Sequence, residues 1–293
     1  MPFTKTIIYF WANNILMKFL LFPAALFFSL AAPAQYYYKD IVGTRESSDL
    51  IKRYIKNKVT RVVLTSYNAG NTRDEDFYVE QQFIPATRAL TTTSRSEAAE
   101  PSSLTSYADE AGNIVRTVDS TDIISITTYT YNREGQLLSV SSSSSDSTGA
   151  STEGEQHLWE WKNGQASRML RIKNRVDTTF VNFKLDDQNN VVEETETRRG
   201  VTTQPVFYYY NASRQLTDIV RFSKRANQLL PEYMFEYTEG GQVAQKITVP
   251  SNNSEYLIWR YQYSGRGLKT KEVIYNKQKK LTGKIEYQYT FGS

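Results

Sequence analysis

Over residues 107–293 aromatic and polar positions alternate with a period of two. Rings fall in sets: Tyr129/Tyr131, Trp159/Trp161, Tyr208/Tyr210, Phe235/Tyr237, Trp259/Tyr261/Tyr263 and Tyr287/Tyr289. Successive side chains of a strand point to opposite faces, so each set lies on one face of a strand. The other face carries residues such as Lys284, Glu286, Gln288 and Thr290. The pattern predicts strands with one wet face and one face that is either buried or turned to a ligand.

The ring sets are followed by a recurrent turn. Four residues after an anchor comes Gly or a substitute, then usually Gln or Asn, then an aliphatic residue. Tyr131-Asn132-Arg133-Glu134-Gly135-Gln136-Leu137 is the clearest copy, and Ala108–Ile114 and Tyr237–Val243 match it closely. Leu185–Val191 and Tyr210–Leu216 are degenerate copies, Tyr263–Lys269 lacks the aliphatic end, and Trp161–Ala166 is one residue shorter. Asn or Asp after the anchor accepts from backbone amides further on and starts a type I turn. The fourth residue then needs positive φ, which Gly and Asn tolerate best. Arg214 stands at that position in its copy, with an expected strain of about 1–2 kcal/mol. Seven hairpins imply roughly fourteen strands from residue 104 on, and a sheet that wide must curl, split or close.

Upstream the pattern changes. Tyr36, Tyr37 and Tyr38 read as a short strand, and Leu50, Ile51, Tyr54 and Ile55 recur at helical spacing over about 49–57, after a Ser47 or Ser48 N-cap. Val59–Tyr67 and Asp76–Pro85 read as strands around a turn at 68–71. Residues 93–106 are Ser/Thr-rich without apolar rhythm and read as a loop, as does the stretch Ser141–Glu155. The fold class is all-β with one short N-terminal helix: a large curved antiparallel sheet of repeated hairpins, open or partly closed into a barrel. Residues 35–106 form the first part and 107–293 the repeat region of what reads as one continuous sheet.

Residues 17–34 have the three parts of a secretory signal: Lys18, an apolar run from Phe19 to Leu30, and Ala32-Pro33-Ala34 as the cleavage site, making Gln35 the mature N-terminus. Residues 1–16 read as lying upstream of the true start at Met17. The alternative is an uncleaved anchor over about Thr6–Ala34. Cleavage places the protein in the periplasm or outside the cell, with the outer membrane as alternative.

Composition sharpens this picture. The chain has 293 residues with 21 Tyr, 14 Phe and 4 Trp, types that suit a half-buried pleated surface. Without the leader, 33 basic residues face 31 acidic ones, too even for nucleic-acid binding, which wants a basic stripe. There is no cysteine, which excludes disulfides, a disulfide-linked partner, thiolate metal sites and a Cys nucleophile.

Chemistry is sparse. The single histidine, His157, has no nucleophile elbow or partner motif and reads as a surface or strand-end residue. One His without Cys makes zinc improbable. Asp74-Glu75-Asp76, Asp186-Asp187 and Glu193-Glu194 are the carboxylate candidates, but neighbours on a strand diverge and Asp is expected in a turn. There is no phosphate-binding loop or dinucleotide fingerprint. Asn211-Ala212-Ser213 and Asn252-Asn253-Ser254 match a glycosylation pattern that bacterial export makes incidental. No catalytic residue, metal or cofactor is expected. The aromatic face, with Trp159, Trp161, Tyr210, Tyr237, Trp259, Tyr261 and Tyr263, is the ligand-binding candidate, the alternative being that these rings are core.

The motif Tyr-Asn/Asp-x-x-Gly-Gln/Asn-Leu resembles the YD repeat of the RHS-repeat family over about residues 107–293. That resemblance implies hairpins wound into one continuous sheet, which in the family closes into a shell around a cargo. This chain has too few copies for such a shell, eroded Gly and Asp positions, and neither a protease segment nor a toxin tail. The layout also resembles small exported proteins of Bacteroidetes-type bacteria. The reading is an exported non-enzymatic protein with a binding or structural role in the envelope. Its candidate partners are carbohydrate, lipid or another envelope protein. An outer-membrane β-barrel is the alternative and an envelope hydrolase the third.

Overall fold

In the computed structural model, residues 35–96, 99–120, 123–145, 151–250 and 255–292 are described. Residues 1–34, with the expected signal, and Asn252–Ser254 lie outside them. The chain enters through a π-helical segment, Tyr37–Gly43, that runs straight into helix α1, Thr44–Asn57. Lys58 then adopts a left-handed conformation and ends the helix. Strands follow in an up-and-down path: β1 Val59–Asn68, β2 Arg73–Ile84, β3 Ala89–Ser96, β4 Ala99–Ala108, β5 Ile114–Ser120, β6 Ile124–Tyr131, β7 Leu137–Ser145, β8 Ser151–Lys162, β9 Gln165–Lys173 and β10 Asp177–Leu185. The path continues with β11 Val191–Arg198, β12 Val201–Thr202, β13 Val206–Tyr210, β14 Leu216–Ser223, β15 Gln228–Tyr237, β16 Val243–Thr248, β17 Leu257–Tyr263, β18 Lys269–Tyr275 and β19 Leu281–Phe291.

Each strand pairs antiparallel with its neighbours, and β19 pairs with β1, from Val59↔Phe291 to Asn68↔Gly283. The short β12 and β13 both lie against β11 and share one position, so the wall is a closed barrel of eighteen strands. Closure leaves no edge with unpaired amides.

The repeated turns lie on one rim, where they join β4–β5, β6–β7, β8–β9, β10–β11, β13–β14, β15–β16 and β17–β18. Six share two backbone bonds, as in Asn132 N to Gln136 O (3.0 Å) and Gly135 N to Asn132 O (3.1 Å). The pairing register shifts at every anchor: Ala108, Tyr131, Trp161, Leu185, Tyr210, Tyr237 and Tyr263. A type I turn followed by a left-handed residue and a one-residue bulge accounts for this pattern. Gly135 takes that conformation at φ 76°, and Arg214 takes it at φ 59° without the freedom of glycine.

Three expectations need correction. Residues 93–96 and 99–106 are not a loop but belong to β3 and β4, and Ser141–Ser145 and Ser151–Glu155 are strand as well. Their hydroxyls pair across strands, as in Ser94–Ser102 (2.6 Å), Thr91–Thr105 (3.0 Å) and Ser125–Ser144 (2.9 Å), and so replace apolar rhythm as the stabilising contact. The helix begins at Thr44 rather than near 49. The tyrosine lead is helical rather than extended. Helical spacing sends the three rings to three sectors: Tyr36 to His157 on β8, Tyr37 to Phe183 and Tyr208 on β10 and β13, and Tyr38 to Tyr233 and Phe235 on β15.

Those contacts place the helical segment inside the barrel, where it forms a plug. Further along it, the Ser48 hydroxyl accepts from the Ile114 amide on β5 (3.1 Å), and the Tyr54 hydroxyl donates to Gln81 on β2 (2.5 Å). A helix satisfies its own backbone groups, which an isolated strand in a closed lumen cannot do. The core is therefore the shared volume of plug and inner wall, including Ile51, Tyr54, Val62, Leu64, Met169, Val181, Tyr208, Ile219 and Ile285. The outer face carries charge. Arg61–Glu80 (2.7 Å), Glu160–Arg168 (2.9 Å), Lys184–Glu193 (2.7 Å) and Lys284–Glu286 (2.9 Å) pair there. Among the described residues no helix is long and apolar enough to cross a membrane.

Candidate functional site

The inner wall brings the sequence-predicted rings together and sorts them into two groups. Anchor rings form a ladder in which each donates to the backbone carbonyl that closes the preceding repeat turn. The rungs are Tyr131 to Ile114 (2.7 Å), Trp161 to Leu137 (2.8 Å), Tyr210 to Val191 (2.8 Å), Tyr237 to Leu216 (2.7 Å), Tyr263 to Val243 (2.8 Å) and Tyr289 to Lys269 (2.7 Å). A second line of bonds runs beside it, from Gln136 to Gly164 (3.2 Å), Gln215 to Gly241 (3.5 Å) and Gln242 to Gly267 (2.9 Å). The spacing of the repeat thus carries a hydrogen-bond line around the rim, and Trp161, Tyr210, Tyr237 and Tyr263 have their polar tips committed to it.

The rings deeper in the lumen meet the plug. Trp159 stacks on Phe183 at 5.3 Å and donates from its indole to Asp40 (3.1 Å). Trp259 is buried, and Tyr261 lies under the Lys269 ammonium at 4.4 Å.

His157 is not at the surface. It points into the lumen from β8 in step with Trp159, and is 6% exposed. Its Nδ1 lies 2.6 Å from Asp40 of the plug and its Nε2 2.9 Å from Glu155 on the wall. Glu155 in turn holds Arg171 at 2.8 Å. Burial disfavours the imidazolium, but the charge and hydrogen bond of Asp40, followed by those of Glu155, outweigh it and raise its pKa to about 9. Glu155 is destabilised by burial, yet its bonds to His157 and Arg171 lower it to about 2. At neutral pH the ring donates to both carboxylates, so it has no free lone pair with which to take a proton from a nucleophile. The arrangement is an alternating chain of charges that joins plug to wall.

A second buried acid holds the start of the plug. Glu194, on β11, accepts from the amides of Tyr36 and Tyr37 (3.0 Å each) and from the Tyr208 hydroxyl (2.7 Å). These are free amides at the positive end of the helical segment, which favour an anion. Burial opposes them and raises the Glu194 pKa. Its neighbour Glu193 faces outward to Lys184, so the two divide between opposite faces as expected for a strand. Asp186 caps its own turn by accepting from Gln188 (2.9 Å) and Asn190 (2.8 Å). Asp74 likewise accepts from the Asp76 amide (3.3 Å) at the start of β2.

Sequence reasoning missed Asp40 and Glu272 as buried acids and Glu155 as a half-buried one, and it took Glu194 only as half of an adjacent carboxylate pair. Parity was the available signal for Glu155, which shares the face of Trp159 and Trp161. Glu272 faces Tyr261 in the register and accepts from Tyr287 (2.5 Å) and Lys269 (2.6 Å). Nothing local distinguishes Asp40. Among the described residues no group of three or more His, Asp or Glu side chains is arranged to hold a metal ion.

No protein-family model and no curated protein matches the chain. Solved structures do. A porin-like protein from Bacteroides uniformis is similar at 12% identity and a TM-score of 0.40, over 80% of this chain and 97% of that one. The TcdB2–TccC3 complex is similar at 12% identity and a TM-score of 0.32, over 73% of this chain and 12% of that one. The Photorhabdus luminescens Tc holotoxin pore is similar at 12% identity and a TM-score of 0.30, over 77% of this chain and 15% of that one.

Proposed function

We propose that this chain is an exported, non-enzymatic envelope protein: a water-facing barrel, plugged by its own N-terminal helix, that binds a ligand in the lumen. The observation that carries the reading is the sense of the barrel. Rings point inward, while ion pairs such as Arg61–Glu80, Glu160–Arg168 and Lys184–Glu193 point outward from the wall. On a lipid-facing surface Arg or Lys at the midplane costs about 2–4 kcal/mol each. Strand length favours the same reading. β16 has six residues, and β17 and β18 seven each, against about 9–11 for a strand that crosses a bilayer. The engagement of both His157 nitrogens and the division of Glu193 and Glu194 between faces support a non-enzymatic role. The signal pattern at 17–34 supports export, with the mature chain starting at Gln35.

The outer-membrane barrel is the competing reading. It draws on exposed apolar side chains such as Ile124, Phe180 and Tyr209, whose strand parity is outward. Sedimentation of the purified protein without detergent separates the two. A monodisperse species whose gel mobility is unaffected by boiling supports the water-facing barrel. Detergent dependence with heat-modifiable migration establishes the alternative. N-terminal sequencing of the exported protein tests cleavage after Ala34.

A further inference from the structure

A wall of eighteen strands encloses more space than one helix about 10–12 Å across can fill. The plug is not central in its contacts: Ile51, Tyr54 and Ser48 are buried, while Arg45 and Glu46 are exposed. Glu46 is therefore reached by solvent although the barrel wall surrounds it, and enclosure raises its pKa. The cations nearest to it in effect are Lys246, Arg45, Lys269 and Arg53. On this side of the plug the lumen-facing Tyr233, Tyr237, Lys246, Tyr261 and Tyr263 of β15–β17 are likewise only partly buried, which marks a chamber open to water between α1 and the wall.

Two features of the chamber point to an anion with an apolar body. The first is the company of cations: Lys246, Arg45, Lys269 and Arg53 all act on Glu46, and Glu272, the other acid that acts on Lys246, is already engaged by Lys269 at 2.6 Å. The second is the state of Lys246. Its ammonium lies over the rings of Tyr233 (4.9 Å), Phe235 (5.7 Å) and Tyr38 (5.9 Å), with the Tyr38 hydroxyl at 3.4 Å. It has no ion pair with any described residue, and Glu46 has none either. An enclosed ammonium without a counter-ion is costly unless an anion completes it. The ring faces beside it supply an apolar wall for whatever carries that anion.

We infer that the chamber between α1 and β15–β18 is a binding site for a small organic carboxylate with a flat or apolar body, whose carboxylate seats on Lys246 between the rings. This deepens the proposed binding role and rests on that reading. Glu46 is the like charge that limits the affinity. The two residues therefore have opposite effects, which loss of folding cannot imitate.

Calorimetric titration of the purified protein with benzoate, acetate and benzyl alcohol tests the site. Benzoate is expected to bind about tenfold or more tighter than acetate or benzyl alcohol. Lys246→Met weakens benzoate by about tenfold or more, Lys246→Arg retains it, and Glu46→Gln tightens it by several-fold, roughly the size of one removed like charge. The inference is overturned if none of the three probes binds, if benzyl alcohol matches benzoate, or if Glu46→Gln leaves the affinity unchanged or lowers it. The water-facing reading fails separately, in the sedimentation experiment, whatever benzoate does.

Discussion

Neighbouring strands of the wall are tied by contacts that recur at a near-fixed interval, whereas the plug is tied to the wall by contacts that each occur once. The wall's side-chain ladder spans 17 residues from Tyr131 to Ile114, 24 from Trp161 to Leu137, and 19 to 21 for the four later rungs. The plug reaches across 117 residues from Asp40 to His157, 158 from Tyr36 to Glu194, and 197 from Gln35 to Glu232. The rungs are neutral hydrogen bonds at a rim. The plug's long-range contacts to His157, Glu194 and Glu232 each end on a carboxylate set in the lumen wall or in the plug itself. A barrel built this way spreads its stability over many small local terms, then fixes the helix in its lumen with a few large ones.

The largest test of that contrast removes a plug contact. His157→Ala leaves Asp40 and Glu155 without their shared cation, and unpairing a buried charge costs about 3–5 kcal/mol. Urea unfolding of the variant is expected to show that loss. A change below about 1 kcal/mol would mean that the charges are not held as a unit.

The same network gives stability a defined pH dependence. The folded pKa of His157, about 9, lies above its ordinary 6.5. Its contribution is therefore complete below pH 6.5 and is lost as pH rises through 9. Glu155, lowered to about 2 from 4.5, contributes fully above pH 4.5 and is lost only as pH falls through 2. The contribution of this network is expected to be level between these limits and to decline on the alkaline side by on the order of 3 kcal/mol. The difference between the melting profiles of wild type and His157→Gln isolates this decline from other groups that titrate at high pH. A pH-independent difference would refute the assignment.

A single rung should matter less. Tyr237→Phe removes the bond to the Leu216 carbonyl and keeps the ring, so about 1 kcal/mol is expected. A similar loss at Tyr210→Phe and Tyr263→Phe would establish the ladder as equivalent units. The smallest effect carries the opposite sign. Arg214 holds φ 59° at the bulge position, and Arg214→Gly is expected to stabilise the protein by about 1 kcal/mol or less, because relief of the left-handed strain is partly offset by glycine's unfolded-state entropy.

The same division governs what the sequence discloses. The seven repeat turns are legible because anchor, turn and bulge lie within seven residues. Two more turns with these backbone bonds, Asn68–Thr72 and Asn276–Lys280, lie on the opposite rim; the first was legible only as a turn, and the second escaped notice because Lys279 takes the left-handed position without a glycine to mark it. Ring parity gave the inner face. The strands around Ser94, Ser102 and Ser125–Ser144 were hidden because small hydroxyls carry no apolar alternation, although their cross-strand bonds do the same work. The tyrosine lead shows no sign of being helical, since its conformation is fixed by surroundings more than a hundred residues away. Asp40 and His157 are individually ordinary, and only closure of the wall around the helix brings them to 2.6 Å. Closure itself depends on strand number and register, which no single repeat encodes.

Hydrogen exchange read at residues 36–57 tests most directly whether a helix sits inside a closed wall. Amides of this segment, above all those of Tyr36 and Tyr37 on Glu194, should be protected as strongly as those of β8 and β11, and should lose protection in His157→Ala before the wall does. Exchange of 36–57 at the rate of a free peptide, beside a protected wall, would contradict the account.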